Sequence, residues 1–297
     1  MKKNIFFTVV LFFTFLISVN AQAPLVLQSD FGIEDAAVAS MKGVAVTVSP
    51  DIKIYDLTHK IPVFNIWEAS QRLVQTADYW PKGTVFVSVV DPGVGTKRKS
   101  VVLKTKTGQY FVTPDNGTLT LVAEKYGIDS LREIDEAVNR LKNSEKSYTF
   151  HGRDVYAYTG ARLAAGIINF KQVGKLLEPK VVAIPYQKAK FVNGKIYGNI
   201  PILDIHYGNI WTNIGRSLFK KLEVKPGDLL NVKITNGKKT VYKAKIPFHN
   251  MFGSVKVGEP LVYLNSLSNV SLAIREGSFA KKYKIHSGAD WNIKIWK

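Results

Sequence analysis

Apolar and polar positions in the first 180 residues form alternating blocks that are typical of strands and helices in turn. Short apolar runs that end in polar, turn-forming residues predict strands at 24–28, 52–57, 84–90, 101–104 and 110–113. Apolar residues at near-helical spacing predict helices at 36–44, 67–79, 119–126 and 155–168. This succession predicts an α/β layer with a mostly parallel sheet.

The pattern changes beyond residue 179. Between residues 191 and 262, short alternating stretches are separated by turn signals such as Asn193-Gly194. Such a pattern is typical of a small antiparallel β domain or barrel. We therefore expect an α/β domain at 24–182 and a smaller, barrel-like antiparallel β domain at 188–297.

The N-terminus has the pattern of a secretory signal peptide. Lys2 and Lys3 precede a largely apolar stretch at 5–19, and small residues suited to cleavage follow before Pro24. The alternative is an uncleaved anchor helix, for which the stretch is short. We expect residues 1–23 to be removed and the mature protein to be exported, either periplasmic or secreted.

Composition excludes some chemistry. The 297 residues include no cysteine, so disulfides, thiolate nucleophiles and cysteine zinc sites are excluded. The formal charge is +18, from 41 Lys+Arg against 23 Asp+Glu, and such an excess can indicate nucleic acid or an anionic surface. The lysines are scattered and lack the interleaved aromatic residues of a base-stacking groove. We expect no nucleic-acid partner and no stable membrane insertion, and keep a basic nucleic-acid or anionic-surface binder, which rests only on the lysine excess, as a third hypothesis.

Polar residues follow several predicted strands. Asp30, Thr58-His59, Asp91 and Asp115-Asn116 come where strands end. Ligands of open α/β sheets bind at the carboxyl ends of the strands, which places these residues where chemistry would occur. A carboxylate accepts hydrogen bonds on two oxygens and can hold a ribose diol, a role that suits Asp30 and Asp204.

Three further polar residues are candidates for handling a water molecule. An aspartate beside an arginine is kept ionised, and it can orient a histidine or a water. A histidine can take a proton from that water. Asp91, Arg98 and His151 could form such a set, whereas the alternative is a loop salt bridge with a structural histidine.

Phosphate-loop and metal motifs are weak in this sequence. The segment 91–98 has Arg98 in place of the third glycine of a dinucleotide-binding fingerprint. It also lacks the Gly-Lys-Ser/Thr ending of the P-loop that binds nucleotide phosphates. The five histidines show no paired helical spacing. We predict no metal site.

Seven segments together resemble one known family. They are Ser29-Asp30-Phe31-Gly32, Met41-Lys42-Gly43-Val44, Asp56-Leu57-Thr58-His59, Val89-Val90-Asp91-Pro92-Gly93-Val94-Gly95-Thr96, Pro114-Asp115-Asn116-Gly117, Phe150-His151-Gly152-Arg153-Asp154 and Leu264-Asn265-Ser266. In this order they resemble the S-adenosyl-L-methionine hydrolase (hydroxide adenosyltransferase) family, which is related to the fluorinases and chlorinases. The resemblance covers nearly all of the chain after the predicted signal peptide.

The resemblance implies an assembly and a reaction. It implies a two-domain subunit that forms a homotrimer, with the ligand between the N-terminal domain of one subunit and the C-terminal domain of the next. The implied reaction is attack by water or hydroxide on the ribose 5′ carbon of S-adenosylmethionine, giving adenosine and L-methionine. S-adenosylmethionine is the substrate, and no cofactor is implied.

The resemblance also implies roles for individual residues. Asp91, Arg98 and His151 match the family's residues near the water, and Asp30 matches its ribose-binding aspartate. Further substrate contacts are implied for Phe64, Asp204, Asn209, Phe252 and Ser266. Our hypothesis for the reaction makes His151 the proton acceptor or relay, with Asp91 orienting the water and Arg98 keeping Asp91 ionised.

The halide-using relatives are the nearest competing class. They resemble this chain but have a tyrosine at the position of Asp91 and a serine at that of Gly152, and the fluorinases add a loop that is missing between residues 104 and 113. A carboxylate at position 91 would repel a halide. We therefore expect a hydrolase, and the alternative is an exported adenosine- or nucleoside-binding protein with little catalysis.

Overall fold

The computed structural model describes residues 22–297, so the predicted signal peptide lies outside the described residues except for its last two. The N-terminal sheet contains β1 (Leu25–Ser29), β2 (Ile54–Thr58), β3 (Val85–Val89), β4 (Ser100–Thr105), β5 (Tyr110–Pro114), β6 (Ile128–Glu133) and β7 (Leu176–Leu177). Its helices are α1 (Ala37–Val48), α2 (Ile66–Thr76), α3 (Thr120–Tyr126) and α4 (Tyr158–Ala164), with a π-helical turn at Gly152–Ala157 leading into α4. Short 3-10 turns lie at Ala77–Tyr79 and Phe170–Val173.

The seven strands form one mixed sheet in the order β2-β1-β3-β5-β4-β6-β7. The pairs among β2, β1, β3 and β5 are parallel, and those from β5 through β4 and β6 to β7 are antiparallel. The prediction of a mostly parallel sheet is therefore wrong for this half. A tight turn joins β4 to β5, with the Gly108 N–H donating to the Thr105 carbonyl at 2.9 Å, and a turn this short can join only antiparallel strands.

The central strands are covered on both sides. Every residue of β1 and β3 is buried, as expected where helices cover both faces of a sheet. Against one face the chain from Gly152 to α4 approaches closely, and a side chain at Gly160 would overlap the Val87 Cγ2 atom. Small residues in this helix therefore permit tight helix–sheet packing.

The C-terminal strands form two antiparallel sheets. They are β8 (Lys190–Val192), β9 (Lys195–Ile200), β10 (Ile202–Leu203), β11 (Ile210–Gly215), β12 (Leu229–Asn236), β13 (Lys239–Pro247), β14 (Pro260–Leu264), β15 (Asn269–Ile274) and β16 (Gly288–Trp296). Two short helices, α5 (Arg216–Phe219) and α6 (Phe279–Tyr283), and 3-10 turns at Lys220–Leu222 and Phe252–Ser254 complete this region.

One sheet has the order β10-β11-β15-β14 and the other β13-β12-β16-β9-β8. Within the described residues neither sheet closes on itself, so the predicted barrel is wrong. Alternate residues of both sheets, among them Ile214, Val232 and Ile293, are buried in one core between them. Because each sheet buries one face against the other, the arrangement is a sandwich with two outer faces.

Helix α2 joins the two regions. The Trp67 indole N–H donates to the Asn199 Oδ1 at 3.0 Å, and the Asn199 amide donates to the carbonyls of Gly288 and Trp291 at 2.8 and 2.9 Å. The next residue, Glu68, accepts from Ser287 at 2.8 Å. The Asn199 side chain therefore connects the first region to both β9 and β16.

None of the helices described from residue 22 onward is long and apolar enough to cross a membrane. Between β7 and β8 the chain runs in extended form along the first region. There the Val182 N–H donates to Asp115 Oδ1 at 2.9 Å, and the Ile184 N–H donates to Thr120 Oγ1 at 3.0 Å. These bonds hold the connecting segment against the loop after β5 and the start of α3.

We expect Asn199→Ala to destabilise the protein by about 2–4 kcal/mol, because it leaves several buried polar groups without partners at about 1 kcal/mol or more each. The free energy of unfolding in urea measures this loss. Asn250→Ala, at an exposed position, is the matched control and should change it by less than about 0.5 kcal/mol. Equal losses in both variants would contradict the role of Asn199 as a connecting side chain.

Candidate active site

The carboxyl edge of the N-terminal sheet holds a cavity of about 200 Å³. The strand ends after β1 and β3 contribute Asp30 and Asp91, and the start of the π-helical turn contributes His151 and Gly152. The full lining is Asp30, Phe31, Val63, Phe64, Val89, Asp91, Val94, Thr149, His151 and Gly152. Four of the sequence-predicted site residues, Asp30, Phe64, Asp91 and His151, therefore share one cavity.

Arg98 lies behind this cavity and binds Asp91 through two hydrogen bonds. Its Nε donates to Asp91 Oδ1 at 2.7 Å and its Nη2 donates to Asp91 Oδ2. Both side chains are nearly buried, with exposed fractions of 10% for Arg98 and 5% for Asp91. A two-pronged guanidinium–carboxylate pair of this kind holds the carboxylate in one orientation.

The Arg98 guanidinium also faces His151. Its Nη2 lies 3.4 Å from His151 Nδ1, and a guanidinium can only donate, so Nδ1 is the acceptor in this contact. Burial lowers the pKa of His151, the Arg98 and Arg140 charges lower it further, and Glu136 and Asp91 act in the opposite direction. A neutral ring with Nδ1 engaged carries its proton on Nε2.

A network of polar side chains contacts Arg98 on the side away from Asp91. Arg98 Nη1 donates to Ser100 Oγ at 3.3 Å, and Ser100 Oγ lies 3.1 Å from the Tyr156 hydroxyl. Tyr156 is fully buried, and burial strongly raises its pKa. The arginine is therefore held by neutral partners on one side and by Asp91 on the other.

Backbone geometry departs from the regular forms directly after His151 and at Phe64. His151 directly precedes the π-helical turn, a feature that is frequent at functional sites. Phe64 adopts a positive φ of 65°, which is rare for a bulky residue, and its N–H donates to Asp30 Oδ2 at 2.9 Å. Phe64 is 66% exposed and lines the cavity.

The other residues predicted at strand ends have structural roles. The His59 ring bridges Ser29 Oγ at 2.7 Å and Asp56 Oδ1 at 3.1 Å. Asp115 accepts a hydrogen bond from the Val182 N–H of the connecting segment, and burial raises the pKa of Asp115. Asn116 donates to the Val90 carbonyl at 2.9 Å. These residues hold the loops that carry Asp30 and Asp91, and they do not line the cavity.

The remaining predicted residues meet in a second cavity, of about 750 Å³, in the C-terminal sandwich. The tight loop between β10 and β11, closed by the Gly208 N–H bond to the Asp204 carbonyl at 2.7 Å, brings Asp204 and Asn209 together. Phe252 and Ser266 also line this cavity. The two cavities have no lining residue in common.

Two lining residues of the second cavity were given no role from the sequence, although Asn265 belongs to one of the seven motifs. The Trp211 Nε1 and Asn265 Nδ2 atoms are buried without a hydrogen-bond partner among the described residues. Asn265 Oδ1 accepts from the N–H groups of Leu267 and Asn269 at 2.9 and 3.0 Å, which fixes its amide. Two unpartnered donors beside a cavity suit a ligand that presents acceptors. The motif at 264–266 could have pointed to Asn265, whereas no local pattern marks Trp211, and the lack of partners at both depends on the fold.

The described residues contain no group of three or more His, Asp or Glu side chains that could hold a metal ion. At Gly152, a Cβ atom would lie 3.1 Å from the Phe31 ring and 3.2 Å from Val89 Cγ1. A larger residue at this position would therefore need both neighbours to move.

Two family models match the chain, one in the N-terminal region and one in the C-terminal region. Residues 25–174 match the family model of the SAM hydroxide adenosyltransferase N-terminal domain, and residues 198–292 match that of the C-terminal domain. The (R)-S-adenosyl-L-methionine hydrolase of Methanocaldococcus jannaschii is 38% identical over 229 residues, which cover 74% of this chain and 78% of the relative. The chain therefore belongs to the SAM hydroxide adenosyltransferase family, and the resemblance found in the sequence is confirmed.

Two more relatives are similar over greater lengths. The fluorinase of Nocardia brasiliensis is 27% identical, with 93% of this chain and 98% of the relative covered. The crystal structure of an uncharacterized conserved protein from Thermotoga maritima has a TM-score of 0.80 and 36% identity, with 92% of this chain and 100% of that chain covered. The family thus includes proteins named for hydrolysis and for fluorination.

The predicted export is corrected by this comparison. The hydrolase relatives are cytoplasmic-type enzymes of bacteria and archaea. An exported, periplasmic or secreted location is therefore wrong.

The buried histidines predict how stability depends on pH. Burial lowers the pKa of both His59 and His151, so below about pH 6.5 the unfolded chain binds more protons than the folded chain. Stability is then present above pH 6.5 and is lost as the pH falls, by up to about 1.4 kcal/mol per pH unit for each proton. Thermal unfolding between pH 8 and pH 5 measures this loss.

His59→Asn should reduce the dependence of the melting temperature on pH, whereas the same change at partly exposed His249 should not. A pH dependence that is unchanged in His59→Asn would contradict this assignment.

Proposed function

We propose that the protein hydrolyses S-adenosylmethionine to adenosine and L-methionine, by attack of a water molecule on the ribose 5′ carbon. One observation carries this proposal: Asp91, held by Arg98, and His151 share one cavity with Asp30 and Phe64. These groups can bind a ribose and orient a water. The family acts on S-adenosylmethionine, which contains a ribose.

The reaction needs little help at the leaving group. As the new carbon–oxygen bond forms, the carbon–sulfur bond breaks and its electron pair goes to the sulfonium sulfur, which leaves as the neutral thioether of methionine. The attacking water must lose a proton. The protein's tasks are therefore to align the water with the carbon–sulfur axis and to accept that proton.

We assign the proton acceptor to Asp91. Each of its oxygens accepts one hydrogen bond from Arg98 and keeps a further lone pair for the water. His151 presents its Nε2–H as a donor, since Nδ1 faces Arg98. This assignment replaces the hypothesis that His151 takes the proton, and it makes the histidine the group that orients the water oxygen.

Gly152 and Asp91 favour water over halide. A carboxylate that is fixed in the cavity repels an anionic nucleophile. The serine of halide-using relatives, placed at Gly152, would crowd Phe31 and Val89.

We therefore propose hydrolysis, and turnover in ¹⁸O-labelled water with and without chloride or fluoride tests it. Adenosine labelled at the 5′ oxygen and insensitive to halide is expected. Tight adenosine binding without turnover would instead indicate a nucleoside-binding protein.

Variants at positions 91 and 151 separate the two roles. We expect Asp91→Asn to lower kcat about 10²–10⁴-fold with little change in binding, because the amide is a far weaker proton acceptor. His151→Gln keeps an N–H donor and should retain at least about tenfold more activity than His151→Ala. His249→Gln serves as the control. Equal loss in His151→Gln and His151→Ala would return the proton-acceptor role to the histidine.

We also propose that the complete site forms between subunits of a homotrimer. The cavity with Asp91 and the cavity with Asn209 share no lining residue within one chain. A second copy could bring its C-terminal cavity to the N-terminal cavity of its neighbour, as in a closed ring of identical contacts.

Coexpression of two inactive variants tests the shared site. Asp91→Asn and Asn209→Ala subunits should each have low activity alone, whereas random mixed rings contain intact pairs at about one site in four. We expect coexpressed subunits to recover about a quarter of the normal activity, measured as adenosine release. Sedimentation should give the mass of three chains. Activity no higher than that of the single variants would place the whole site within one chain.

A further inference from the structure

The outer face of the five-stranded sheet carries a row of side chains that crosses every strand, with a lysine on each strand except β9, where Tyr197 lies. The strand register pairs Lys243 with Lys233 and Lys233 with Lys294. It then pairs Lys294 with Tyr197 and Tyr197 with Lys190. Adjacent strands lie about 4.8 Å apart, so this row spans about 19 Å.

A second row runs beside the first. Its members, in strand order, are Lys245, Asn231, Trp296, Lys195 and Val192. The residues that alternate with both rows are buried in the core of the sandwich, so the rows face solvent. We call the two rows together the lysine face.

The positive charge of this face is not balanced by the sheet itself. The five strands contain one carboxylate, that of Asp290, and it lies at the start of β16 outside both rows. No lysine of the two rows pairs with a carboxylate within residues 22–297. Like charges directly opposite each other destabilise a sheet. An anionic partner would remove this repulsion.

Aromatic rings lie among the lysines. The Nζ atoms of Lys190 and Lys294 are 5.9 and 5.2 Å from the Tyr197 ring centroid, and Lys294 Nζ is 5.2 Å from that of Trp296. Both rings are partly exposed. Beside Tyr197 is a hollow of about 320 Å³, lined by Gln187, Tyr197, Lys233, Thr235, Asn292, Ile293 and Lys294. Its amide side chains can both donate to and accept from a base edge.

We propose that the lysine face binds single-stranded nucleic acid, with phosphates on the lysines and a base on Tyr197 at the hollow. Proteins that bind single strands combine a basic surface with aromatic side chains on which bases stack. A lipid surface suits the face less well, because Val192 is the one aliphatic residue in the two rows. This proposal replaces our expectation of no nucleic-acid partner, which rested on lysines scattered along the sequence.

The lysine face lies away from the proposed substrate site. The second cavity is lined by residues of the other sheet and its loops, including Trp211 and Tyr263. The two sheets pack face to face, so the lysine face is on the opposite side of the sandwich from that cavity. Nucleic acid could therefore bind without covering the substrate cavity, and the two activities can be measured separately.

Fluorescence anisotropy of a labelled dT₁₂ oligonucleotide with the full-length protein tests the proposal. We expect binding that weakens steeply with salt. K233Q/K294Q should weaken it at least tenfold and lower the slope of log K against log salt by about 1.4, since two phosphate contacts are lost. Tyr197→Ala should weaken binding about 5- to 100-fold through lost stacking. S-adenosylmethionine turnover should be unchanged in these variants.

Matched variants and competitors decide among the outcomes. K53Q/K82Q changes the charge equally at exposed lysines of the other region and should keep at least half of the affinity, and K233R/K294R should retain binding. Three results would each overturn the proposal: no binding of dT₁₂ at low salt, equal weakening in K53Q/K82Q, or tighter binding to phosphatidylserine vesicles than to dT₁₂. Melting temperatures confirm that each variant is folded.

Discussion

The reversal of strand direction at β4 is the constraint on which the candidate site depends. Because β4 runs antiparallel to β5, its first residues lie at the same edge as the last residues of β3. Arg98 precedes β4 and Asp91 follows β3, so two residues only seven positions apart can form a buried, two-pronged ion pair. Breaking such a pair leaves an uncompensated buried charge, which is strongly unfavourable. The pair thus fixes the carboxylate and, through the same guanidinium, one nitrogen of His151.

Around this pair, the site departs from regular structure in ways that the rest of the fold supports. His151 leads into a π-helical turn, and the absence of a side chain at Gly152 lets that turn approach Phe31 and Val89. Phe64 holds a left-handed backbone conformation that costs about 1–3 kcal/mol. Its hydrogen bond to Asp30 and the well-packed strands nearby offset this cost. Backbone strain at the wall of a cavity is typical of binding sites.

The joint at α2 gives the second region a defined place beside the first. Trp67, Glu68 and Asn199 form buried or nearly buried polar contacts there, where solvent competes little with hydrogen bonds. Each chain therefore presents two separate cavities and, on the far side of the sandwich, the lysine face. The proposed nucleic-acid surface lies apart from the two cavities that the proposed subunit contact would join, so it can be altered without changing the proposed active site.

Local pattern in the sequence determined the strand ends at Asp30 and Asp91, because buried strands are short apolar runs and the carboxyl ends of parallel strands meet at one edge. The seven motifs determined the family. Tertiary structure decided that His59 and Asp115 support loops, that Asn265 and Trp211 face the second cavity, and that the C-terminal sheets stay open. It also decided that Lys190, Lys233 and Lys294 meet Tyr197. These outcomes depend on which distant strands pair and in what register, and pairing is set by the whole hydrophobic core rather than by neighbours along the chain.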